Sequence, residues 1–204
     1  MNYIYPPRPK SKVPPIMLPK MESRGIFLAQ RKFNGDRCLI HYPGNGGVIL
    51  YNRYGRQQKY KMTAALRQEF LALNLDVTKE HWLDGELMHP RIKDTVILYD
   101  ALLVEGNYLF GSTVDQRLGI LRQICNNPVR HPDPPIALEV SQHVWMVESF
   151  NSEFADRFNE FLHLDTIEGL VLKERASRLD SWGSKPYEVT WQVRCRKQGP
   201  TYDF

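Results

Sequence analysis

The sequence predicts an α+β domain in which antiparallel sheets are flanked by helices. Eight segments have the length and apolar or alternating character of strands, whereas only three have the spacing of a substantial helix. Many strands with few helices favour antiparallel pairing rather than a parallel sheet of βαβ units. A third observation is a glycine-rich turn, Pro43-Gly44-Asn45-Gly46-Gly47, which indicates a hairpin between two of the strands.

The elements follow from the apolar pattern. Strands are predicted at 26–32, 36–42, 47–53, 82–88, 95–104, 143–150, 168–174 and 188–197. Helices are predicted at 62–74, 115–125 and 152–163, and Asp115 is expected to cap the second. Each helix has an apolar face that is expected to be buried, formed by Leu66, Phe70 and Leu73 in the first, Leu118, Leu121 and Cys125 in the second, and Phe154, Phe158, Phe161 and Leu162 in the third.

Length and composition exclude several classes. The 204 residues are 42% hydrophobic and 25% charged, as in ordinary globular proteins, and the net charge of +4 is compatible with a polyanionic partner. No apolar run approaches the roughly 20 residues that span a bilayer, and the N-terminus lacks the apolar stretch of a signal peptide. Cys38, Cys125 and Cys195 match neither a zinc site nor a disulfide framework. We therefore expect a cytoplasmic protein without a structural metal.

The chain has no repeat and no linker that divides it. Residues 1–15 contain five prolines and are expected to form an extended basic lead over the surface. Residues 16–204 are expected to form one domain.

The most informative stretch is Lys32-Phe33-Asn34-Gly35-Asp36-Arg37, which lies between two apolar runs and predicts a strand, a functional turn and a strand. It places a candidate lysine nucleophile, a glycine turn and an arginine within six residues. Taken alone, it fits a basic solvated turn equally well, because these residue types are common in hairpins.

Further segments follow in a fixed order. They are Tyr51-Asn52-Arg53-Tyr54-Gly55, Leu83-Asp84-Gly85-Glu86-Leu87, Leu98-Tyr99-Asp100-Ala101-Leu102 with Arg117 after it, and Glu168-Gly169-Leu170-Val171-Leu172-Lys173. Each alone also fits a turn or an edge strand. Together with the hexapeptide they resemble the ordered motifs of the covalent nucleotidyltransferases, the superfamily of ATP-dependent polynucleotide (DNA/RNA) ligases and mRNA capping enzymes. The resemblance covers residues 16–197 and implies the ATP-grasp-like adenylation fold of the DNA ligases.

The resemblance implies a ligase that seals nicks through a lysyl-AMP intermediate. Lys32 would take AMP from ATP, pass it to a 5′-phosphate, and a 3′-OH would then displace AMP. The attacking amine must be unprotonated, which requires nearby positive charge because a free lysine is protonated at neutral pH. Glu86 and Glu168 are the implied ligands of Mg²⁺ or Mn²⁺, which prefer hard oxygen ligands.

The resemblance also implies a nucleotide-binding set. Tyr99 is expected to stack on the nucleobase and Lys173 to reach the α-phosphate. Two positions depart from the common pattern, since Gln30 stands where Glu is usual and Asn34 where many ligases have Asp. The full set of nucleotide-binding residues is Gln30, Arg31, Arg37, Arg53, Glu86, Tyr99, Lys173, Arg194 and Arg196.

The last predicted strand departs most from the family, which normally has Lys-x-Lys at its end. Here Arg194 and Arg196 share one face because side chains alternate along a strand, and we assign phosphate contact to them. Lys197 is the second choice and Lys185 an outside candidate. Arginine binds phosphate in a bidentate manner and does not release its proton, which suits an electrostatic role.

Little sequence follows Arg196, so the oligonucleotide-binding (OB) domain and the sixth motif of the family have no counterpart here. We expect a minimal ligase rather than a fragment. The alternatives are a capping-type guanylyltransferase, a non-catalytic nucleic-acid-binding module and an NAD-dependent ligase. The expected partner of this monomer is a nicked duplex of DNA, RNA or an RNA–DNA hybrid, with RNA tolerated or preferred on the 3′-OH side and no membrane partner.

Overall fold

Two mostly antiparallel sheets form the framework of the computed structural model, which describes residues 3–180 and 183–198. The strands are β1 (Arg8–Lys12), β2 (Phe27–Phe33), β3 (Asp36–Pro43), β4 (Ile49–Asn52), β5 (Glu80–Leu87), β6 (Val96–Val104), β7 (Asn107–Tyr108), β8 (Leu138–Glu139), β9 (Val144–Met146), β10 (Ser149–Phe150), β11 (Ile167–Glu174) and β12 (Glu188–Arg196). The helices are α1 (Leu18–Ser23), α2 (Ala64–Leu71), α3 (Val114–Ile124) and α4 (Phe154–Glu160), and a 3₁₀ turn (Pro15–Met17) precedes α1.

The first sheet has the strand order β1-β12-β11-β2-β10, and the second has the order β4-β3-β5-β6-β9-β8 with β7 paired to β6. Only β1 with β12 and β6 with β9 are parallel among the described pairs. The predicted α+β class with antiparallel sheets is therefore confirmed.

The core has three layers of apolar contact. Leu28 of the first sheet packs against Leu39 and Leu102 of the second, which joins the two sheets face to face. Helices α1 and α4 cover the outer face of the first sheet, and helices α2 and α3 cover the outer face of the second. Complete burial of each such leucine stabilises the fold by about 1.5–3 kcal/mol. A cleft lined by residues of both sheets lies in the layer between them.

The predicted cap of the second helix is wrong by two residues. Thr113 caps α3: its hydroxyl accepts a hydrogen bond from the Gln116 backbone N–H, and the Gln116 side chain accepts one from the Thr113 N–H. Asp115 lies in the first turn, where it pairs with Arg175 at 2.9 Å. The reciprocal bonds of Thr113 and Gln116 satisfy two backbone donors, whereas Asp115 as cap would satisfy one.

The predicted strand at 143–150 is divided between the sheets. Residues Val144–Met146 form β9 beside β6, and Ser149–Phe150 form β10 beside β2. The chain crosses from one sheet to the other through Val147 and Glu148, and alternation alone gives no sign of that crossing. The short strands β1, β7 and β8 and the helix α1 were not predicted.

Residues 3–15 of the proline-rich lead are built into the domain, and residues 8–12 form the edge strand of the first sheet. Arg8–Lys12 pair with β12, and Ile4, Pro6 and Pro7 are buried. The expected boundary at residue 15 therefore has no counterpart in the packing, and the end of the expected domain, 199–204, lies outside the described residues. Within the described chain, no helix has the length and apolar character needed to cross a membrane.

Gly169 of β11 has a backbone φ of +140°, and an added Cβ would lie 2.1 Å from the carbonyl oxygen of Cys195. We expect Gly169→Ala to lower the free energy of unfolding by about 3 kcal/mol, because both the conformation and the contact exclude a side chain. Gly119, inside α3, has nothing within 4 Å of an added Cβ. Gly119→Ala should raise stability by about 0.5–1 kcal/mol. Urea unfolding of both variants tests this, and equal effects would contradict it.

Candidate active site

A cleft with about 540 Å³ of empty space, part of which is open solvent at its mouth, lies between the two sheets. Charged and polar side chains line it, although the surrounding layer is largely apolar. The first sheet contributes Pro9, Gln30, Arg31, Lys32, Phe33, Val171, Lys173 and Gln192, and the second contributes Arg37, Asp84, Glu86 and Tyr99.

Lys32 and Glu168 form an ion pair beside the cleft. Lys32 lies near the end of β2, opposite Gly169 of β11, and its Nζ is 2.5 Å from Glu168 Oε2. The Nε of Arg196 lies 3.3 Å from the same carboxylate oxygen. Because a carboxylate at this distance stabilises an ammonium, the pair must be relieved before the Lys32 amine can attack an electrophile.

The turn after Lys32 is fixed by close backbone contacts. The Gly35 N–H donates to Glu86 Oε1 at 3.2 Å, and a Cβ on Gly35 would lie 2.6 Å from the carbonyl oxygen of Leu87. Asn34 donates its side-chain N–H to the Asp165 carbonyl oxygen at 2.9 Å. An aspartate carboxylate has no N–H to donate, so the departure at Asn34 has a local structural reason.

Arg37 is held by a residue that the sequence analysis gave no role. Strand alternation places Asp84 and Glu86 on the cleft face of β5, and Arg37 lies on the neighbouring strand β3. The two carboxylate oxygens of Asp84 accept hydrogen bonds from Arg37, Oδ1 from the Nε–H and Oδ2 from an Nη2–H, so the pair is bidentate. Burial alone would lower the pKa of Arg37, but the Asp84 carboxylate outweighs it and raises that pKa. Burial raises the pKa of Asp84, and Arg37 opposes that rise.

Glu86 is a carboxyl group that ionises near neutral pH. Burial raises its pKa to about 7, against the opposing effects of Arg37, Lys32 and the Gly35 N–H. Glu86 and Glu168 both lie near Lys32 and offer hard oxygen ligands. Mg²⁺ in proteins is commonly held by one or two carboxylates together with substrate phosphates, and this pair fits that pattern. No group of three or more His, Cys, Asp or Glu residues suited to a metal occurs among residues 3–180 and 183–198.

Tyr99 reaches the cleft because of an irregularity in the second sheet. Asp84 pairs with Asp100 and Gly85 with Leu98, so Tyr99 is the extra residue of a bulge in β6. Its ring stacks on Phe33, with 6.3 Å between centroids, and the Arg37 guanidinium lies 5.8 Å from the centre of the Tyr99 ring. Burial raises the pKa of Tyr99, so its hydroxyl stays protonated.

Lys173 and Gln192 lie opposite one another on β11 and β12 and both line the cleft. Lys173 is only 6% exposed, and burial lowers its pKa against the opposing charges of Asp100 and Asp84. Gln192 was not predicted as a site residue, although a signal existed. By alternation it lies on the same face as Arg194 and Arg196.

Arg194 and Arg196 of β12 are not among the residues that line the cleft. They pair with Val171 and Gly169, respectively. Lys197 is directed elsewhere, since its Nζ donates to the carbonyl oxygens of Leu162 and Leu164 at 3.0 and 2.9 Å. Lys185 is exposed and does not line the cleft.

Arg31, which was predicted to bind the nucleotide, is among the residues that line the cleft, but its guanidinium is bound in ion pairs. Its guanidinium is 2% exposed and pairs with Glu148 at 3.3 Å and Glu160 at 2.8 Å. The rings of Phe150 and Phe161 lie within 5 Å on either side. Adjacent residues of a strand point to opposite faces, so Arg31 is directed away when Lys32 faces the cleft.

Arg53 lies outside the cleft, at its mouth. It is exposed, donates to the Tyr54 hydroxyl at 2.7 Å, and lines a second cavity together with Gly35, Asp36 and Arg37. A nucleotide confined to the main cleft would not contact it.

Comparison with known proteins places this geometry in a known fold. No protein-family model and no curated protein sequence matches the chain. Mycobacterial DNA ligase D complexed with ATP and MES has a TM-score of 0.60 at 19% identity, over 95% of this chain and 60% of that one. The ligase domain of M. tuberculosis LigD has a TM-score of 0.57 at 20% identity, over 93% and 58%. A Lig E DNA ligase, described as binding DNA with a minimal scaffold, has a TM-score of 0.55 at 14% identity, over 95% and 70%.

The chain has the fold of a DNA ligase adenylation domain. It spans about 60% of the length of the DNA ligase D chain that it matches. At these identities the likeness establishes the fold, and the chemistry must be argued from the residues of the cleft. The predicted nucleotidyltransferase fold is thus confirmed.

The raised pKa of Glu86 predicts a specific pH dependence of stability. Its folded pKa of about 7 exceeds the ordinary value of 4.5, so its stabilising contribution is complete below about pH 4.5 and is lost as pH rises through 7. Between pH 5 and 8, the free energy of unfolding of Glu86→Gln, which mimics the protonated acid, should fall by about 2.5 kcal/mol less than that of the wild type. Urea unfolding at both pH values measures the difference. Parallel pH profiles of the two proteins would contradict the assignment.

Proposed function

We propose that this protein is an ATP-dependent polynucleotide ligase that joins 5′-phosphate and 3′-OH ends at nicks in a duplex. The observation that carries the proposal is the position of Lys32. Its amine lies beside a cleft that also holds Glu86, Lys173 and Arg37, in a fold that DNA ligases use for adenylation. A lysine with basic neighbours and two carboxylates nearby fits nucleotidyl transfer, which needs a nucleophile and groups that stabilise phosphate charge.

The reaction has three steps. In the first, the Lys32 amine loses its proton and attacks the α-phosphorus of ATP, so that a P–N bond forms as the P–O bond to pyrophosphate breaks. In the second, an oxygen of the nucleic acid 5′-phosphate attacks the same phosphorus and displaces the lysine nitrogen. In the third, the 3′-OH attacks the 5′-phosphorus, loses its proton and releases AMP, which leaves a phosphodiester bond.

The residues of the cleft divide these tasks. The Glu168 carboxylate holds the Lys32 amine next to the reacting phosphate until their ion pair breaks. Arg196, whose Nε lies 3.3 Å from the same carboxylate, can then be its remaining ion-pair partner. Lys173 and Arg37 stabilise the negative charge that develops on the phosphate. Glu86 and Glu168 would hold a divalent cation, Mg²⁺ or Mn²⁺, which when bound supplies neutralisation of the phosphate charge.

The polar contacts of Gln30 favour ATP over GTP. Its Nε2 donates to Ser149 Oγ at 3.0 Å, which leaves its side-chain carbonyl oxygen as a buried acceptor at the wall of the cleft. An acceptor matches the 6-amino group of adenine and repels the 6-oxo group of guanine. The departure from Glu to Gln therefore keeps the acceptor while removing a charge. Tyr99, with its ring at the cleft, is the proposed stacking partner of the base.

Lys32→Ala should abolish covalent labelling of the protein by ATP radiolabelled at the α-phosphate, because the variant lacks the attacking amine. Lys32→Arg should fail equally, since guanidinium stays protonated. Lys197→Ala is the matched control and should be labelled normally, because that amine is bound to backbone carbonyls outside the cleft. Denaturing gels read the label directly.

Three results would refute parts of the proposal. Labelling of Lys32→Ala would overturn the nucleophile. Labelling of the wild type by GTP but not by ATP would indicate a capping-type guanylyltransferase. A wild type that no nucleotide labels would indicate a non-catalytic nucleic-acid-binding module.

The choice of sugar follows from the cost of deforming the duplex. Bending or reshaping a site of this kind costs on the order of a few kcal/mol, which must be repaid by protein contacts. Within the described residues, the cleft and the surface around it supply those contacts. A duplex that is already A-form, as RNA on the 3′-OH side provides, needs less deformation.

We therefore expect the chain to seal a nick with an RNA 3′-OH strand at least as fast as an all-DNA nick. The measurement is a panel of 5′-phosphorylated nicked duplexes in which each strand in turn is DNA or RNA, with unpaired single strands as controls. Faster sealing of the all-DNA nick, or of unpaired strands, would refute this preference while leaving the adenylation step intact.

A further inference from the structure

Positive charge is concentrated in two segments whose basic side chains have no role in the proposed adenylation chemistry. One of them contains Arg53, which was predicted to bind the nucleotide but lies outside the cleft. Residues 1–21 and 53–68 contain no Asp or Glu and hold nine of the 27 basic residues. The remaining sequence therefore has 18 basic residues against 23 acidic ones and is net negative. A positive formal charge that comes entirely from two segments calls for a reason beyond solubility.

The two segments meet in the fold. Arg8 of β1 donates from Nη2 to the Arg53 carbonyl oxygen at 3.1 Å, and the Tyr3 hydroxyl donates to the Asn52 carbonyl oxygen at 2.9 Å. Gly55 lies so close to the Tyr3 ring that an added Cβ would be 3.2 Å from it. Strand β1 and the loop 53–61 thus form a single surface, which we call the basic rim.

The basic rim is continuous with the cleft. Pro9 of β1 lines the cleft itself, and Lys12 pairs in register with Arg194 of β12. On the other side, Gln58 donates to the Arg37 carbonyl oxygen at 3.4 Å. A second cavity joins the turn after Lys32 to Arg53 and Tyr54. A polymer lying on the rim would therefore pass the reacting groups.

The composition of the rim fits a phosphodiester backbone. Lys10, Arg56, Lys59 and Lys61 are exposed to solvent. Tyr54 is 61% exposed and its ring lies 4.9 Å from the Arg53 guanidinium, a pairing suited to stacking on a base or sugar. The acidic groups in contact with the rim include Glu188, which pairs in register with Arg8, Asp36, which lines the second cavity, and Asp94, which accepts a hydrogen bond from the Tyr60 hydroxyl at 2.6 Å. They are outnumbered by the cations of the rim.

We propose that the basic rim binds the sugar–phosphate backbone of the polynucleotide substrate beside the cleft. This assignment rests on the proposed ligase function and makes the N-terminal lead part of the substrate-binding surface. The lead holds the backbone by charge, and the cleft carries out the nucleotidyl transfer. Because phosphate contacts release counterions, binding through the rim must weaken steeply as salt rises.

The test compares two double variants, Lys10→Ala/Lys12→Ala and Lys59→Ala/Lys61→Ala, with the control Lys20→Ala/Lys79→Ala. The control removes the same charge from exposed lysines outside the rim. Affinity for a fluorescent nicked duplex is measured between about 50 and 200 mM NaCl, the range over which phosphate contacts dominate the salt dependence. Labelling by ATP without nucleic acid is measured on the same samples.

Each rim lysine that contacts a phosphate should lower the slope of log affinity against log salt by about 0.9, so each rim variant should lose about 1.8 relative to the wild type. The control should keep the wild-type slope, and all variants should keep normal ATP labelling. Wild-type slopes in both rim variants, or an equal loss in the control, would overturn the assignment. A wild type that is not labelled by ATP, yet shows rim-dependent slopes, would refute the ligase proposal and support the rim.

Discussion

Burial of charge between the two sheets is the constraint on which the site depends. An ionised group buried alone costs several kcal/mol, so such groups persist only when partners surround them. Arg37 is paired with Asp84, and the fully buried Arg117 is bound to Asp100 at 3.0 Å. The Asp84 and Asp100 carboxylates of these pairs lie close enough to Lys173 to balance part of its charge. Removal of one partner would leave the other buried and uncompensated.

The strands that carry these charged side chains approach one another unusually closely. The Asp-Gly-Glu segment needs its glycine because a Cβ on Gly85 would lie 2.6 Å from the carbonyl oxygen of Ile97. The same closeness lets Asp84 and Glu86 point into one narrow space and brings the Gly35 N–H within 3.2 Å of Glu86. The glycines of the motifs therefore act by allowing strands to approach one another, and the chemistry follows from the approach.

Much of the fold followed from the sequence: the strand pattern placed Lys32, Glu86, Lys173 and Arg194 on strands, as the structure has them. The motif resemblance, and not alternation, pointed to the first three as site residues. The features that the sequence did not predict depend on contacts between segments that are distant in the chain. Alternation already implied that Arg31 faces away from Lys32, but nothing local showed the Glu148 and Glu160 carboxylates that receive it. Nor did local sequence show that the lead pairs with β12, because parallel pairing between residues 8–12 and 188–194 leaves no pattern in either segment. Asp84 and Gln192 line the cleft but were not predicted as site residues, although each lies two positions from a residue that was, Glu86 and Arg194 respectively.

The unbalanced charges of the cleft indicate which ligands would fit it. Glu86 has a pKa of about 7, burial lowers the pKa of Lys173, and the Lys32 amine is occupied by Glu168. A triphosphate would supply negative charge to Lys173 and Arg37, whereas a divalent cation would supply positive charge to the side chains of Glu86 and Glu168. The cation alone would leave Lys173 unsatisfied, and the triphosphate alone would be repelled by the two carboxylates. The electrostatics therefore favour joint binding of nucleotide and metal, and joint binding would also draw Glu168 away from Lys32 at the moment when its amine is needed.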